Sequence, residues 1–349
     1  MKTLAELSEM IDNLDLVRGL SLAGGDFAGA MFAEGMFEAV DFSGADLTGA
    51  DLREAKLVNC RFDGAKLDDA ILRKATIAQS SFQKARLHRA RAGFASFVMT
   101  DLTGAQLRGA SLDYVSFANC KLGGVNLAGA VLERTTMADC EVAGIDLSGL
   151  NFMRCAMMNP DLRQSSLAGT TFFRSAFIGA KLAGRKLPGI SIPACLLNDA
   201  DFSGCDLSEA DFSQSVLAKA NFSGANLRGA NLSRAVLKGA NLAGADLSGA
   251  NLTQAILVEA QAAQAQFSGA ILDQCTATAL SAPGARFTQA DLTRTDFSHA
   301  MLEGANFAGA RFNRTNLHAI ADQNAIFTDR NGIFGTDREL LRAEEWHRY

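Results

Sequence analysis

Seven cysteines are the first residues whose type suggests chemistry, because thiolates bind metals and paired thiols form disulfides. Their residue numbers all end in 0 or 5, at Cys60, Cys120, Cys140, Cys155, Cys195, Cys205 and Cys275. This is one phase of a five-residue period, and most other residues at this phase are Ala, Ser, Thr or Val. We therefore interpret the cysteines as buried thiols that act as small hydrophobic groups, with metal or redox roles as the alternative. Only Cys120 and Cys140 lie twenty residues apart, and parallel side chains in a tight stack seldom reach disulfide torsions.

The four histidines do not form a catalytic constellation in the sequence. His88, His299, His318 and His347 fall at outward phases of the period or in the C-terminal tail. No two of them are twenty residues apart, so the sequence does not stack them in one column. A hydrolytic or metal site needs convergent imidazoles and carboxylates in a cleft. The glycines of "GANLRGAN" recur throughout the chain, so they do not resemble a phosphate loop. The sequence predicts no enzyme, no catalytic residue, no metal and no cofactor.

Columns of Asp and Asn at twenty-residue spacing resemble calcium ladders at first sight. One column is Asp201, Asn221 and Asn241, and another is Asp206, Asn226 and Asp246. Stacked amides that hydrogen-bond to one another explain these columns more simply, and alternating Asn with Asp dilutes the repulsion between like charges.

The element that must position all of these residues is a five-residue repeat. A Leu, Phe or other apolar centre stands at residue numbers ending in 2 or 7, from Leu22 to Leu317, in sixty consecutive units without an insertion. A period of five held over this length excludes an amphipathic helix, whose period is 3.6 residues. The centre and the small residue two positions before it face inward, and the other three positions face water. Each unit therefore forms one short side of a coil that ends in a turn.

A twenty-residue period lies over the five-residue one, because every fourth unit between residues 196 and 275 opens with a doubled apolar pair, as in "VLAKANFSGANLRGANLSRA". Four sides then make one coil, and sixty units make 15 coils. The A-D/N-L-x-x units resemble those of pentapeptide repeat proteins. This resemblance implies an all-β fold, a right-handed quadrilateral β-helix, and bacterial origin. It does not specify a function.

The two ends of the solenoid need caps, because an uncovered coil would pair with another edge. Helical spacing of Leu4, Leu7, Ile11 and Leu14 predicts an N-terminal cap, and Thr336 with Glu339 predicts a capping box for a C-terminal helix in which Trp346 covers the last coil. The predicted divisions are a helical cap at 1–20, the β-helix at 21–320 and a partly helical cap at 321–349.

Composition and charge limit the binding class and the location that the sequence predicts. The 349 residues carry a net charge of −5, which favours neither direct nucleic-acid binding nor a disordered acidic tail. Acidic residues interrupt the N-terminal segment, and no stretch is apolar enough to span a membrane. We expect a cytoplasmic protein with no membrane span, although secretion by a route without a signal peptide stays open.

Two surface features depart from the repeat. The first is an aliphatic column at an outward position of four successive coils, with a fifth residue beside it: Leu196, Val216, Val236 and Ile256, flanked by Val258. A contiguous apolar strip indicates an interface, whereas isolated β-branched residues would only favour strand structure. The second is a basic girdle in one coil without acidic residues: Arg73, Lys74, Lys84, Arg86, Arg89 and Arg91, extended by Arg53 and Lys66. The girdle could bind an acidic partner, or it could be a solvated face.

The segment from Ile145 to Cys195 is irregular, because its small inward slot holds larger or charged residues: Ile145, Leu150, Pro160, Arg185 and Ile190. Pro188 and Pro193 lie nearby, so we expect a bulge or bend here.

The favoured function is a non-enzymatic interaction scaffold that presents surface columns to an unknown protein partner or to a second copy, as a homodimer. The resemblance also implies that such proteins can be accessory to bacterial secretion systems. The alternative, likewise implied by the resemblance, is a DNA mimic that binds DNA gyrase or another topoisomerase. A net charge of −5 and a basic girdle make a poor imitation of duplex DNA.

Overall fold

The repeat folds into a β-solenoid of about 16 turns, with one short helix near each end of the chain. The structure is a computed structural model that describes residues 4–13 and 15–346. The side chains of Leu4 and Trp346 and the whole of Leu14 and His347 lie outside the described residues, so the predictions made for them stay predictions. The chain divides into two compact units, Met1–Phe177 (unit 1) and Ile178–Tyr349 (unit 2).

Each turn of the solenoid contains twenty residues, as the sequence predicts. Parallel β-bridges join residues twenty apart, such as Asp41 with Arg61 in unit 1 and Asn221 with Asn241 in unit 2. All four sides of a turn are bridged in this way, and hydrogen bonds run from one turn to the next, as from Phe42 N to Arg61 O at 2.7 Å. The predicted register and the four-sided coil are confirmed.

Turns at the corners explain why each side is only five residues long. Ala45 N donates to Phe42 O at 3.0 Å, and Gly44 between them has a φ of +66°, as in a type II β-turn. The same corner position has positive φ in most units, including many that carry a residue other than glycine. Glycine fits this backbone best, because other residues meet a Cβ clash there.

Regular strands are short. The strands are β1 Leu16–Arg18, β2 Met36–Glu38, β3 Lys56–Val58, β4 Thr76–Ala78, β5 Ser96–Val98, β6 Ser116–Ala118, β7 Leu132–Glu133, β8 Thr136–Ala138, β9 Asn151–Met153, β10 Ala156–Met158, β11 Thr171–Phe173, β12 Ala176–Ile178, β13 Asn306–Phe307, β14 Thr315–Asn316, β15 Ile326–Phe327 and β16 Ile333–Phe334. One side of the turns forms a parallel nine-stranded sheet in the order β1-β2-β3-β4-β5-β6-β8-β10-β12. Smaller sheets pair β11-β9-β7, β13-β15 and β14-β16.

The core is a stack of apolar centres. Phe62 and Phe82 on successive turns stack with ring centroids 4.5 Å apart, and Phe287 and Phe307 stack at 4.8 Å. Polar residues in the small inward slot satisfy their hydroxyl groups on the backbone, as where Thr135 Oγ1 donates to Leu112 O at 2.7 Å. Burial of Leu and Phe layers, with few unsatisfied polar groups, therefore stabilises each turn against its neighbours.

The irregular segment keeps the register of the solenoid on both sides of the unit boundary. Asp146 bridges Ser166 in unit 1, and Lys181 bridges Asp201 in unit 2. Ile145, Leu150 and Ile190 are buried in the inward slot, whereas Arg185 is only partly buried. Larger aliphatic residues are thus accommodated in the inward slot.

The helices are α1 Leu4–Asp12 and α2 Arg338–Trp346. Leu7 and Ile11 of α1 are buried, which agrees with the helical spacing in the sequence. The predicted capping box is wrong by one residue: Asp337 is the N-cap of α2, since its Oδ1 accepts the N–H groups of Glu339 and Leu340. Thr336 Oγ1 instead accepts the N–H of Ala319 at 3.2 Å. The division at 1–20, 21–320 and 321–349 stays a prediction.

No described helix reaches the length and apolarity that a membrane crossing requires.

Candidate functional site

The aliphatic column of unit 2 is continuous. Bridges join Leu196 to Val216, Val216 to Val236 and Val236 to Ile256. Leu196 is 45% exposed and Ile256 is 37% exposed, whereas the two valines between them and the adjacent Val258 are half-buried. The column is therefore an apolar strip with its most exposed side chains at its two ends. Its role in binding stays a prediction.

The other sides of the same turns carry hydrogen-bonded amide ladders. Asn221 Nδ2 donates to Asp201 Oδ1 at 3.2 Å, and Asn241 Nδ2 donates to Asn221 Oδ1 at 3.1 Å. Asn226 Nδ2 likewise donates to Asp206 Oδ1 at 2.8 Å. The ladder interpretation is confirmed for these pairs. The amide groups are occupied along the solenoid axis, so the aliphatic column lies beside columns of hydrogen-bonded polar side chains.

The basic girdle is partly neutralised by the preceding turn. Three of its six residues pair with acids there, in the pairs Lys74–Glu54, Arg86–Asp68 and Arg89–Asp69. The two extending residues are paired as well, Arg53 with Asp51 and Lys66 with Asp46. Arg73, Lys84 and Arg91 have no described carboxylate within 4.0 Å. The unbalanced charge is thus smaller than the composition of the coil indicates.

All seven cysteines are free thiols, and all are buried except the half-buried Cys140. Burial raises the pKa of Cys60 to about 11 and also raises the pKa of Cys155 and Cys275. Because the thiolate is the reactive form, these thiols are poor nucleophiles and poor metal ligands. Cys120 and Cys140 interact through their thiol groups, and this hydrogen bond together with burial raises the pKa of Cys140.

Two histidines meet although the sequence places them in different columns. His299 and His318 lie with ring centroids 5.5 Å apart, and Glu344 Oε2 is 3.4 Å and 3.2 Å from their respective Nε2 atoms. His318 is buried beneath α2, so the expectation of a surface position is wrong for this residue. These three side chains have the types of a metal site.

The hydrogen bonds of His318 argue against a metal there. Its Nδ1 accepts the backbone N–H of Asp337 at 3.2 Å, so Nε2 carries the hydrogen and donates to Glu344. A ring nitrogen that carries a hydrogen has no lone pair for a metal ion, and a metal-bound histidine normally donates from its other nitrogen. The cluster instead fastens α2 to the last turns of the solenoid.

Matches to known proteins agree with this geometry. The model of the family "Pentapeptide repeats" matches eight times, at residues 17–49, 36–74, 45–83, 85–124, 116–152, 195–234, 235–274 and 284–318. The chain belongs to the pentapeptide repeat family. No curated protein matches it significantly.

Several solved pentapeptide repeat structures resemble this family member in fold. Full-length QnrB1, a plasmid-mediated fluoroquinolone resistance protein, is 19% identical, with a TM-score of 0.30 over 68% of this chain and 93% of that chain. HetL from Nostoc sp. strain PCC 7120, involved in heterocyst differentiation regulation, is 25% identical, with a TM-score of 0.21 over 76% and 96%. Rfr23 from Cyanothece 51142 is 20% identical, with a TM-score of 0.20 over 54% and 90%. At these TM-scores, none of them indicates what this pentapeptide repeat protein binds.

Sequence reasoning missed a stack of exposed side chains on unit 1, which we call the arginine–aromatic stack: Arg73, Phe94, Tyr114 and Arg134. The rings of Phe94 and Tyr114 stack at 4.6 Å and are 50% and 40% exposed. Arg73 Cζ lies 5.8 Å from the centroid of Phe94, and Arg134 Cζ lies 5.1 Å from that of Tyr114. Arg134 also donates to Tyr114 Oη at 2.7 Å. The stack crosses four successive turns of this pentapeptide repeat protein.

The aromatic residues of the stack occupy the corner position, where the backbone favours glycine. Phe94 has a φ of +65° and Tyr114 a φ of +61°. A bulky residue in this conformation is an outlier with a cost of about 1–2 kcal/mol. The signal was present in the sequence, because Phe94 is one of three phenylalanines off the phase of the other twenty, while the nearby centre, Ala92, is small.

Proposed function

We propose that this pentapeptide repeat protein is a non-enzymatic scaffold that binds a protein partner, or a second copy of itself, through the aliphatic column. The continuity of Leu196, Val216, Val236 and Ile256 over four turns carries the proposal. Contiguous apolar surface of this kind is typical of interfaces. The burial of the thiols and the hydrogen bonds of His318 support a role in binding rather than in catalysis. Seven free thiols suit a reducing compartment, so the proposal places the scaffold in the cytoplasm.

The exposure of the column sets its contribution to binding. Leu196 and Ile256 keep 45% and 37% of their surface exposed. Complete burial of such a side chain contributes about 1.5–3 kcal/mol, so burying what remains exposed of all four contributes roughly 2–4 kcal/mol. Association costs about 4–15 kcal/mol in lost freedom. The column must therefore be the centre of a larger contact and cannot hold a partner alone.

Replacing Leu196, Val216, Val236 and Ile256 together by Asn tests the proposal. Asn already occupies the equivalent position on the neighbouring sides, as at Asn221 and Asn226, so the fold should persist. Loss of roughly 2–4 kcal/mol should weaken association about 30- to 1000-fold. Sedimentation velocity measures self-association, and affinity capture from the native host measures the partner.

The matched control is Ile271→Asn. Ile271 is an exposed aliphatic residue on another side of unit 2, and its neighbours in the column, Asn251 and Asp291, are polar. This substitution should leave association unchanged. If the fourfold variant sediments like the wild type and captures the same proteins, the column does not bind and serves only the strand.

DNA mimicry toward gyrase remains the alternative. It is not favoured, because carboxylates such as Asp46, Asp51 and Asp69 are paired with basic side chains and are not free to imitate phosphates. Inhibition of supercoiling by purified gyrase at low micromolar protein would replace the scaffold proposal. No feature of the described residues selects a secretion system, so the proposal names none.

A further inference from the structure

A groove lies beside the arginine–aromatic stack on the surface of unit 1. One wall carries Ile71, Arg91 and Ser111 on three successive turns, and the other carries Arg73 and Phe94. Its volume is about 450 Å³. We call this feature the arginine groove.

Gly93 opens the arginine groove. The equivalent position carries Arg73 one turn before and Asp113 one turn after. A Cβ added at Gly93 would meet only Asp113 O, at 3.6 Å, which is ordinary contact. The fold therefore tolerates a side chain at this position, and its absence leaves space between two arginines and two apolar groups.

Some of the charged side chains that line the arginine groove have a close partner in this protein, and others do not. Arg53 at one end pairs with Asp51, and Asp113 at the other end accepts hydrogen bonds from Ser111 Oγ and Glu133 N. Arg73 and Arg91 have no described carboxylate within 4.0 Å, although Arg73 acts electrostatically on Glu54, and Arg91 on Asp51 and Asp69, from longer range. Two guanidinium groups beside an exposed apolar surface therefore lack a direct ion pair and can form one with a ligand. Guanidinium groups bind carboxylates in a bidentate manner, and Arg and aromatic residues are enriched in binding hot spots.

We infer that the arginine groove binds an acidic, extended peptide segment of a partner protein. Carboxylates of the peptide pair with Arg73 and Arg91, and an apolar side chain of the peptide enters the space over Gly93, between Ile71 and Phe94. The inference concerns unit 1 only and does not depend on the aliphatic column of unit 2.

A single-stranded nucleic acid fits the arginine groove less well. Bases bind exposed aromatic side chains face to face. Both faces of Phe94 are covered, by Arg73 and by Tyr114, and Arg134 covers the outer face of Tyr114. Only ring edges remain exposed, and the edge of an aromatic ring carries partial positive charge that suits carboxylate oxygens.

A phage-displayed library of random dodecapeptides, selected on the full-length protein, tests the inference. Selected peptides should combine Asp or Glu with an aromatic or aliphatic residue, and their binding should weaken as salt increases. Phe94→Gly should weaken the selected peptides at least tenfold, with a melting temperature within about 3 °C of the wild type, because glycine fits the corner. Gly93→Leu should block the space and weaken binding to the same extent.

Gln214→Gly is the matched control, since Gln214 occupies the same corner position with a φ of +60° in unit 2. It should leave peptide binding unchanged. The inference is overturned if no acidic peptide is enriched, or if Phe94→Gly and Gly93→Leu bind the peptides as the wild type does. Tighter binding of oligothymidylate than of every selected peptide would also overturn it, in favour of a nucleic-acid site. The fourfold column variant should bind the peptides normally, so failure of one proposal is distinguishable from failure of the other.

Discussion

Leu232→Asp tests the register of the solenoid at its centre. Leu232 is fully buried, between Phe212 of the preceding turn and Leu252 of the next, and both neighbours are fully buried as well. Its N–H donates to Asn251 O at 2.7 Å. Ser233, the next residue, is only half-buried and shares its column with Asp273. The two adjacent positions therefore differ in burial.

The expected magnitudes follow from these environments. Removing the leucine side chain alone, as in Leu232→Ala, costs about 2–5 kcal/mol when the site cannot collapse. An unpaired carboxylate between two apolar layers adds several kcal/mol of desolvation, so Leu232→Asp should lose more than about 5 kcal/mol. Ser233→Asp should change stability by less than about 0.5 kcal/mol, as surface substitutions usually do.

Urea unfolding followed by circular dichroism measures both variants. Because solenoid turns contact only their neighbours, amide hydrogen exchange should show the loss of protection concentrated in the turns around residue 232. Equal stability of Leu232→Asp and Ser233→Asp would refute the register, and protection lost evenly along unit 2 would refute the local character of the turns.

Two further predictions concern titratable groups. Burial raises the pKa of the thiols of Cys60, Cys155 and Cys275, so these three thiols should react slowly with a disulfide reagent in the native protein at neutral pH, whereas all seven thiols should react rapidly after denaturation; rapid reaction of these three thiols in the native protein would contradict their burial. Hydrogen bonds from Thr48 and Lys66 lower the pKa of Asp46 to about 2 in the folded protein. The ionised carboxylate therefore stabilises the fold fully above about pH 3.9, the pKa of an unfolded Asp, and this stabilisation is lost as the pH falls towards 2. Asp46→Asn should therefore show a shallower loss of melting temperature between these pH values than the wild type, and identical acid profiles would argue against the hydrogen bonds of Asp46.

The sequence alone predicts the fold well, because each of the five positions of the repeat has nearly the same burial in every unit. The twenty-residue spacing that predicts four sides also predicts which residues stack, and the amide ladder of Asp201, Asn221 and Asn241 forms accordingly. The same spacing could have predicted the ion pairs Lys74–Glu54 and Arg89–Asp69, which also join residues twenty apart. The composition of a single coil does not reveal these pairs, because each pair joins residues on successive turns.

The histidine cluster shows what the repeat cannot predict. His318 follows the phase of an outward residue, and its burial arises from α2, which lies beyond the last repeat. Glu344 reaches it across 26 residues of sequence that obey no five-residue rule. The position of a cap over a solenoid depends on tertiary contacts, so a periodic pattern gives no information about it.

The corner position gives a physical criterion for where function lies on such a solenoid. Gly, Asn and short polar residues at a corner cost little, because the backbone there is left-handed. Phe94 and Tyr114 adopt this backbone at a greater cost, and neither ring gains burial in the core. Their mutual stacking contributes about 0.5–1.5 kcal/mol, and the contacts of Arg73 with Phe94 and of Arg134 with Tyr114 contribute about 0.5–1 kcal/mol each, so these four side chains offset much of the conformational cost among themselves. Substituting glycine for Phe94 or Tyr114 should thus leave the fold intact and abolish only binding at this surface.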